Sequence, residues 1–307
     1  MKKFTNSFVL TIVAITMMSL TSLAQLSGTY TIDPNGSGTS NYASFSAATA
    51  ALTTSGVSGA VTFNVKEGTY TEQVSFGSYT GASATNTITF KADASNTSPA
   101  IITFAPTSSA VTSNYTVQFN NAAYITMDGL TVATAGTSYG RLVNITGTTN
   151  NVIHVDNCTF NGYVGSNSSF FALWYATSMQ YDSLTIENST FNDGSYGVYL
   201  YGTSSAMSEN LVFRNNTLSG FSYGYGLALG YTNSGAVHDN TIHQSATATS
   251  FGYGLRLYGY SQNTSPGAWT VHDNDIKLNY GYGIYAYYTY GTATEPTTIY
   301  NNAVVFN

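Results

Sequence analysis

Asp156 and Glu187 occupy the same place in two copies of a short segment, Val155-Asp-Asn-Cys-Thr-Phe160 and Ile186-Glu-Asn-Ser-Thr-Phe191. If the copies lie one over the other, their carboxylates come near the separation of a retaining glycosidase, about 5–5.5 Å. They equally form a repelling surface pair, with Glu187 relieved by Arg214 of the next copy. Asp128, Arg214, His238, His272 and Tyr300 fall in the same column. A lyase acting beside a uronate needs a Lys, Arg, His or Tyr base and a cation to neutralise the carboxylate. His238 and His272 are of the right type, but the basic residues are scattered. The column reads better as a solvated ladder than as an acid/base set. Asp156, Glu187 and Arg256 are the residues on which catalysis would rest.

A second set of residues suits ring stacking. Strand alternation places Tyr199, Arg256 and Tyr285 outward, with Trp174 in an earlier, degenerate copy. Tyr201, Tyr258 and Tyr287 lie two residues further and face the same way. Aromatic rings spaced along a face can stack on sugars, offering an apolar body and a polar tip. Arg256 can bind hydroxyls or pair bidentately with a carboxylate. Tyr is also simply a good strand residue that covers exposed β surface, and both readings stand. The His-Asp pairs at 238–239 and 272–273 are generated by the repeat itself, so no metal is expected. The sequence has no phosphate loop, no Gly-x-Ser-x-Gly elbow and no calcium-binding nonapeptide, and no cofactor is expected.

These residues are positioned by a repeat. Copies start at Met127, Val155, Ile186, Phe213, Val237, Val271 and Ile299, which are 28, 31, 27, 24, 34 and 28 residues apart. A second series interleaves with it: Tyr196-Gly-Val-Tyr-Leu200, Tyr225-Gly-Leu-Ala-Leu229, Tyr253-Gly-Leu-Arg-Leu257 and Tyr282-Gly-Ile-Tyr-Ala286. Each period thus holds at least two short alternating strands between Asn/Asp/Gly/Ser turns, with no helix between them. A propeller blade is longer, about 40–45 residues. Parallel strands winding into a solenoid fit the spacing. Asn216, Asn240, Asn274 and Asn302 share one turn position, where stacked amides can bond from coil to coil. Asn157, Asn188, Asn215, Asp239, Asp273 and Asn301 share the one before it, and such residues tolerate left-handed backbone angles. Gly in the Tyr-Gly columns marks a bend closed to side chains.

The hydrophobic-x-hydrophobic-x-x-Asn-x-hydrophobic pattern resembles the right-handed parallel β-helix repeat of pectate lyases and many secreted bacterial surface proteins. The opening segments, Gly28-Thr-Tyr-Thr-Ile32, Phe45–Leu52, Val61-Thr-Phe-Asn-Val65 and Gly68-Thr-Tyr-Thr-Glu72, are similar to the start of such proteins in Bacteroidota-type bacteria. The resemblance covers roughly residues 26–307. It implies an all-β, right-handed parallel β-helix whose first coil carries a short capping helix. Handedness rests on the resemblance and on the general crossover preference. Ser44 suits the N-cap, and Phe45, Ala48 and Leu52 form the apolar face. The fold hosts enzymes and adhesins alike, so it does not decide activity.

Composition agrees. Of 307 residues, only 7% are charged and 14% are aromatic, which argues against disorder and against a helical bundle. Lys2 and Lys3, an apolar run from Phe8 to Met18 and small residues at Ser22 and Ala24 have the layout of a secretory signal peptide over residues 1–24. Residues 25–60 then form the N-terminal cap and 61–307 the β-helix. After the leader, six basic residues face fourteen acidic ones, which argues against nucleic acid or an anionic membrane as partner. No other stretch can enter a bilayer. Cys158 is the single cysteine and sits in a repeat column, so it reads as a buried structural thiol. The last residues still belong to the repeat, so the helix is expected to continue, or to be covered by a further domain or subunit. The expected protein is secreted or on the cell surface, non-catalytic, and binds polysaccharide or cell-surface glycan or acts as an adhesive spacer. The alternative is a polysaccharide lyase or glycoside hydrolase.

Overall fold

In six successive coils a left-handed residue opens the corner between two strands. The computed structural model describes residues 24–163, 168–260 and 267–307. In it Asn157, Asn188, Asn215, Asp239, Asp273 and Asn301 all have φ between 51° and 57°. These are the positions at which short polar side chains tolerate that conformation. The corners turn the chain through parallel sheets of eleven, nine and eight strands. The result is an all-β right-handed solenoid of about 10 turns, with helix Phe45–Ser55 near its N-terminus. Residues 1–23, which include nearly all of the expected leader, lie outside the described residues.

Each inward column comes from one position of the repeat. In the first sheet Val155, Ile186, Phe213, Val237, Val271 and Ile299 pair in register. In the second, Phe160, Phe191, Leu218, Ile242, Ile276 and Val304 do so. The third contributes Val143, Trp174, Val198, Leu227, Leu255 and Ile284. The three columns meet in one core, where like side chains stack: the Phe160 and Phe191 rings lie 4.8 Å apart and nearly parallel. Burying each such side chain contributes about 1.5–3 kcal/mol.

The residue after each left-handed corner points inward and carries a polar ladder. The backbone N–H of Asn216 donates to Asn240 Oδ1 at 2.9 Å. Asn240 Nδ2 donates to Asn274 Oδ1, and Asn274 Nδ2 to Asn302 Oδ1, both at 2.8 Å. Ser189 and Cys158 continue the same column, with Ser189 N–H donating to Asn216 Oδ1 and Cys158 N–H to Ser189 Oγ. Burial pushes the Cys158 thiol up to about 12, so it packs as an inert apolar group.

At the N-terminal end Ser44 Oγ accepts from Ala47 N–H. Phe45, Ala48 and Leu52 are fully buried over the first coil. Glu72 closes the Gly68–Glu72 motif: its carboxylate accepts from the N–H groups of Phe45 and Ser46, both at 2.9 Å. A negative charge there also suits the helix dipole. At the other end, Ile299, Val304 and Phe306 are 43%, 40% and 51% exposed.

Candidate functional site

From strand Trp174–Thr177 onward the outer surface of the third sheet is built largely from tyrosine. Tyr175 and Tyr199 pair in register on Trp174–Thr177 and Val198–Tyr201, and their rings stack 5.3 Å apart at 13°. Tyr199 continues to Tyr201 at 4.4 Å and to Tyr225 at 5.3 Å. Tyr225 stacks on Tyr253 at 5.2 Å, and Tyr253 meets Tyr282 and Tyr285 at 5.5 and 5.6 Å. Tyr258 and Tyr287 form a parallel row, 5.5 Å apart. Two small residues make room for these rings. Ala228 lies buried in the outward column between Tyr199 and Arg256, and a side chain at Gly230 would collide with the Tyr201 ring.

Arg256 sits at the centre of this surface. Its guanidinium carbon lies 5.3–5.9 Å from the ring centroids of Tyr201, Tyr225, Tyr253, Tyr258 and Tyr285, within cation–π range. Nη1 donates to the Tyr225 hydroxyl at 3.1 Å, and Nε is buried without a hydrogen-bond partner. Beside it the rings part to leave a cleft of about 420 Å³, lined by Tyr196, Tyr223, Tyr225, Ser250, Phe251 and Tyr253. Tyr223 and Phe251 on its rim are exposed. Burial pushes the Tyr196 and Tyr199 hydroxyls up to about 12. Both therefore remain protonated, and able to donate, at any physiological pH.

Trp174 does not face outward: it is fully buried, pairs with Val143 and Val198, and packs against Phe119 and Phe160. The earlier copy is offset by one residue, and a one-residue slip in a strand exchanges its two faces. Tyr175 holds the outward place instead. Sequence reasoning also passed over Arg141, whose guanidinium lies 3.9 Å over the Tyr175 ring and whose Nε donates to Ser169 O. The tyrosines of the Tyr-Gly columns, Tyr196, Tyr225 and Tyr253, line the cleft. The signal for this was Gly226: it and Leu227 both face the core, so the alternation breaks there and Tyr225 faces out although Leu227, two residues on, faces in.

The three candidate catalytic residues do not converge. Arg256 lies on the third sheet, while Asp156 and Glu187 are paired neighbours on the first. There Glu187 is already saturated. His154 Nε2 lies 2.8 Å from Oε1, and Arg214 donates to Oε2 at 2.6 Å. Asp156 accepts from Asn188 Nδ2 at 2.7 Å. Burial raises the Glu187 carboxyl, but the hydrogen bonds from Arg214 and then His154 outweigh it and hold the group below its ordinary range. A general acid needs the opposite shift. One donor atom from each of His154, Asp156 and Glu187 lies within 4.8 Å of the others. His154 was not singled out, though it stands two residues before Asp156 on the same strand face. These are ligand types for a divalent cation, but the Arg214 guanidinium already takes the place of a positive charge.

A family model described as right handed beta helix region matches residues 141–306. The chain belongs to that family. A comparison with curated proteins finds no match, and neither does one with solved structures. The matched part of this β-helix includes the whole tyrosine surface, the cleft and the Glu187 network.

Proposed function

We propose that this β-helix is a secreted or cell-surface, non-catalytic module that binds polysaccharide along the tyrosine surface of its third sheet. The observation that carries the reading is the cleft between Tyr196, Tyr225, Phe251 and Tyr253, continued by a row of phenol rings with Arg256 at its centre. Rings repeated from coil to coil present apolar faces for pyranose rings and hydroxyls for their polar edges. The leader-like N-terminus supports export, and the acidic balance argues against nucleic acid as partner. A lyase or hydrolase is the weaker reading, because Glu187 is tied into an ion pair with Arg214 and Arg256 stands on another sheet.

Affinity electrophoresis through gels containing neutral or acidic polysaccharides tests the proposal. At least one polysaccharide is expected to retard the chain. Tyr225→Ala, Phe251→Ala and Tyr253→Ala should each abolish most of that retardation, while Tyr300→Ala on the first sheet should not. Retardation by none of the polysaccharides, or retardation indifferent to the three cleft variants, sinks the binding site. Release of reducing ends or unsaturated products, lost on Glu187→Gln, would install the enzyme instead.

A further inference from the structure

His238 and His272 stand in register on neighbouring coils of the first sheet. Their rings stack 4.8 Å apart at 9°, and Tyr300 extends the stack at 4.9 Å and 11°. Each imidazole directs Nδ1 at the aspartate that follows it, His238 to Asp239 and His272 to Asp273, both at 2.7 Å. The left-handed backbone at Asp239 and Asp273, with φ of 57° and 54°, brings each carboxylate back beside its own ring. An ionised carboxylate only accepts, so in the neutral ring Nδ1 carries the hydrogen and Nε2 keeps the lone pair. Neither Nε2 has a hydrogen-bond partner among the described residues, and neither is a buried orphan atom. Two lone pairs of the same tautomer are thus held side by side at the surface.

We propose that His238 and His272 form a two-histidine site for a late first-row divalent cation such as Zn2+ or Cu2+. Imidazole suits these ions. Histidines that bind metal commonly donate their other ring N–H to a carboxylate, which fixes the tautomer and raises the basicity of the ligating nitrogen. Asp239 and Asp273 already make that contact, and Asn301 Nδ2 in turn donates to Asp273. Metal–nitrogen bonds of about 2.0–2.1 Å bring the two nitrogens closer than the stacked rings now stand. The Nε2 edges therefore tilt toward each other about the aspartate contacts, and water completes the coordination. The neighbouring cation in the column, Arg214, is turned away into its ion pair with Glu187. The His154, Asp156 and Glu187 group competes poorly, because both Glu187 oxygens are engaged by protein cations.

Titration of the full chain with Cu2+ alone, followed by electron paramagnetic resonance, tests this. One equivalent is expected to bind with hyperfine coupling to two imidazole nitrogens. His238→Ala and His272→Ala should each remove the two-nitrogen signal, whereas His154→Ala should leave it unchanged. Asp273→Asn should weaken Cu2+ and Zn2+ binding by about 10–100-fold, with circular dichroism confirming that the coil is intact. Absence of stoichiometric Cu2+ binding, survival of the signal in either His238→Ala or His272→Ala, or its loss in His154→Ala would overturn the site.

Discussion

Glu187 joins three successive coils through one carboxylate, with His154 from the coil before and Arg214 from the coil after. Because these partners depress its pKa in the folded chain, the carboxylate stabilises the fold above its unfolded value of 4.5. That contribution disappears as pH falls through the lower, folded value. The melting-temperature difference between the wild type and Glu187→Gln should therefore be largest near neutrality and shrink as pH drops below 4.5. A difference that grew on acidification would contradict the ion-pair network. Asn240 gives a second test at this scale. Its side chain donates to Phe213 O and Asn274 Oδ1 and accepts from the Asn216 N–H. Asn240→Ala strands buried groups on both neighbouring coils, and urea denaturation should register a loss of about 3 kcal/mol.

The tyrosine surface is decided at the scale of the strand. Gly224–Gly230 carries Tyr225 outward, Leu227 inward and Ala228 outward, an order that simple alternation forbids and the bend at Gly226 permits. A Cβ at Gly226 would lie 2.6 Å from Ile242 Cγ2 and 2.8 Å from Gly254 O. Gly226→Ala should cost about 1–3 kcal/mol in a thermal or urea melt. It should also displace Tyr225 and so diminish polysaccharide retardation. Stability lost with retardation intact would separate the bend from the cleft. The element scale is also where the reading of Trp174 failed. Phe171–Tyr175 matches the Tyr-Gly series in its aromatic content, but it lacks the glycine that fixes the frame. Nothing in that segment marks which residue is the strand's first inward position.

Across the whole molecule, each coil is held chiefly by the coils on either side, as in other solenoids. Stability is then graded along the axis. In hydrogen exchange, amides of the central strand Thr217–Phe221, flanked on both sides, should be far better protected than those of Ala303–Phe306, which among the described residues pairs with Asp275–Leu278 alone. Equal protection of the two strands would argue against nearest-neighbour stabilisation. The sequence by itself determined the winding, because one coil must repeat its turn chemistry and its inward residues wherever it stacks on another. The Asn and Asp corners and the Asn ladder could therefore be read from spacing, and the Phe45–Leu52 cap from the resemblance of the opening segments. The tertiary structure alone decided which side chains share a surface. Arg256 gathers rings from four coils, Glu187 is closed off by His154 and Arg214, and His238 lies flat on His272. Each of these neighbourhoods depends on rotamers and on small residues such as Ala228 and Gly230 that leave space, and a one-dimensional repeat encodes neither.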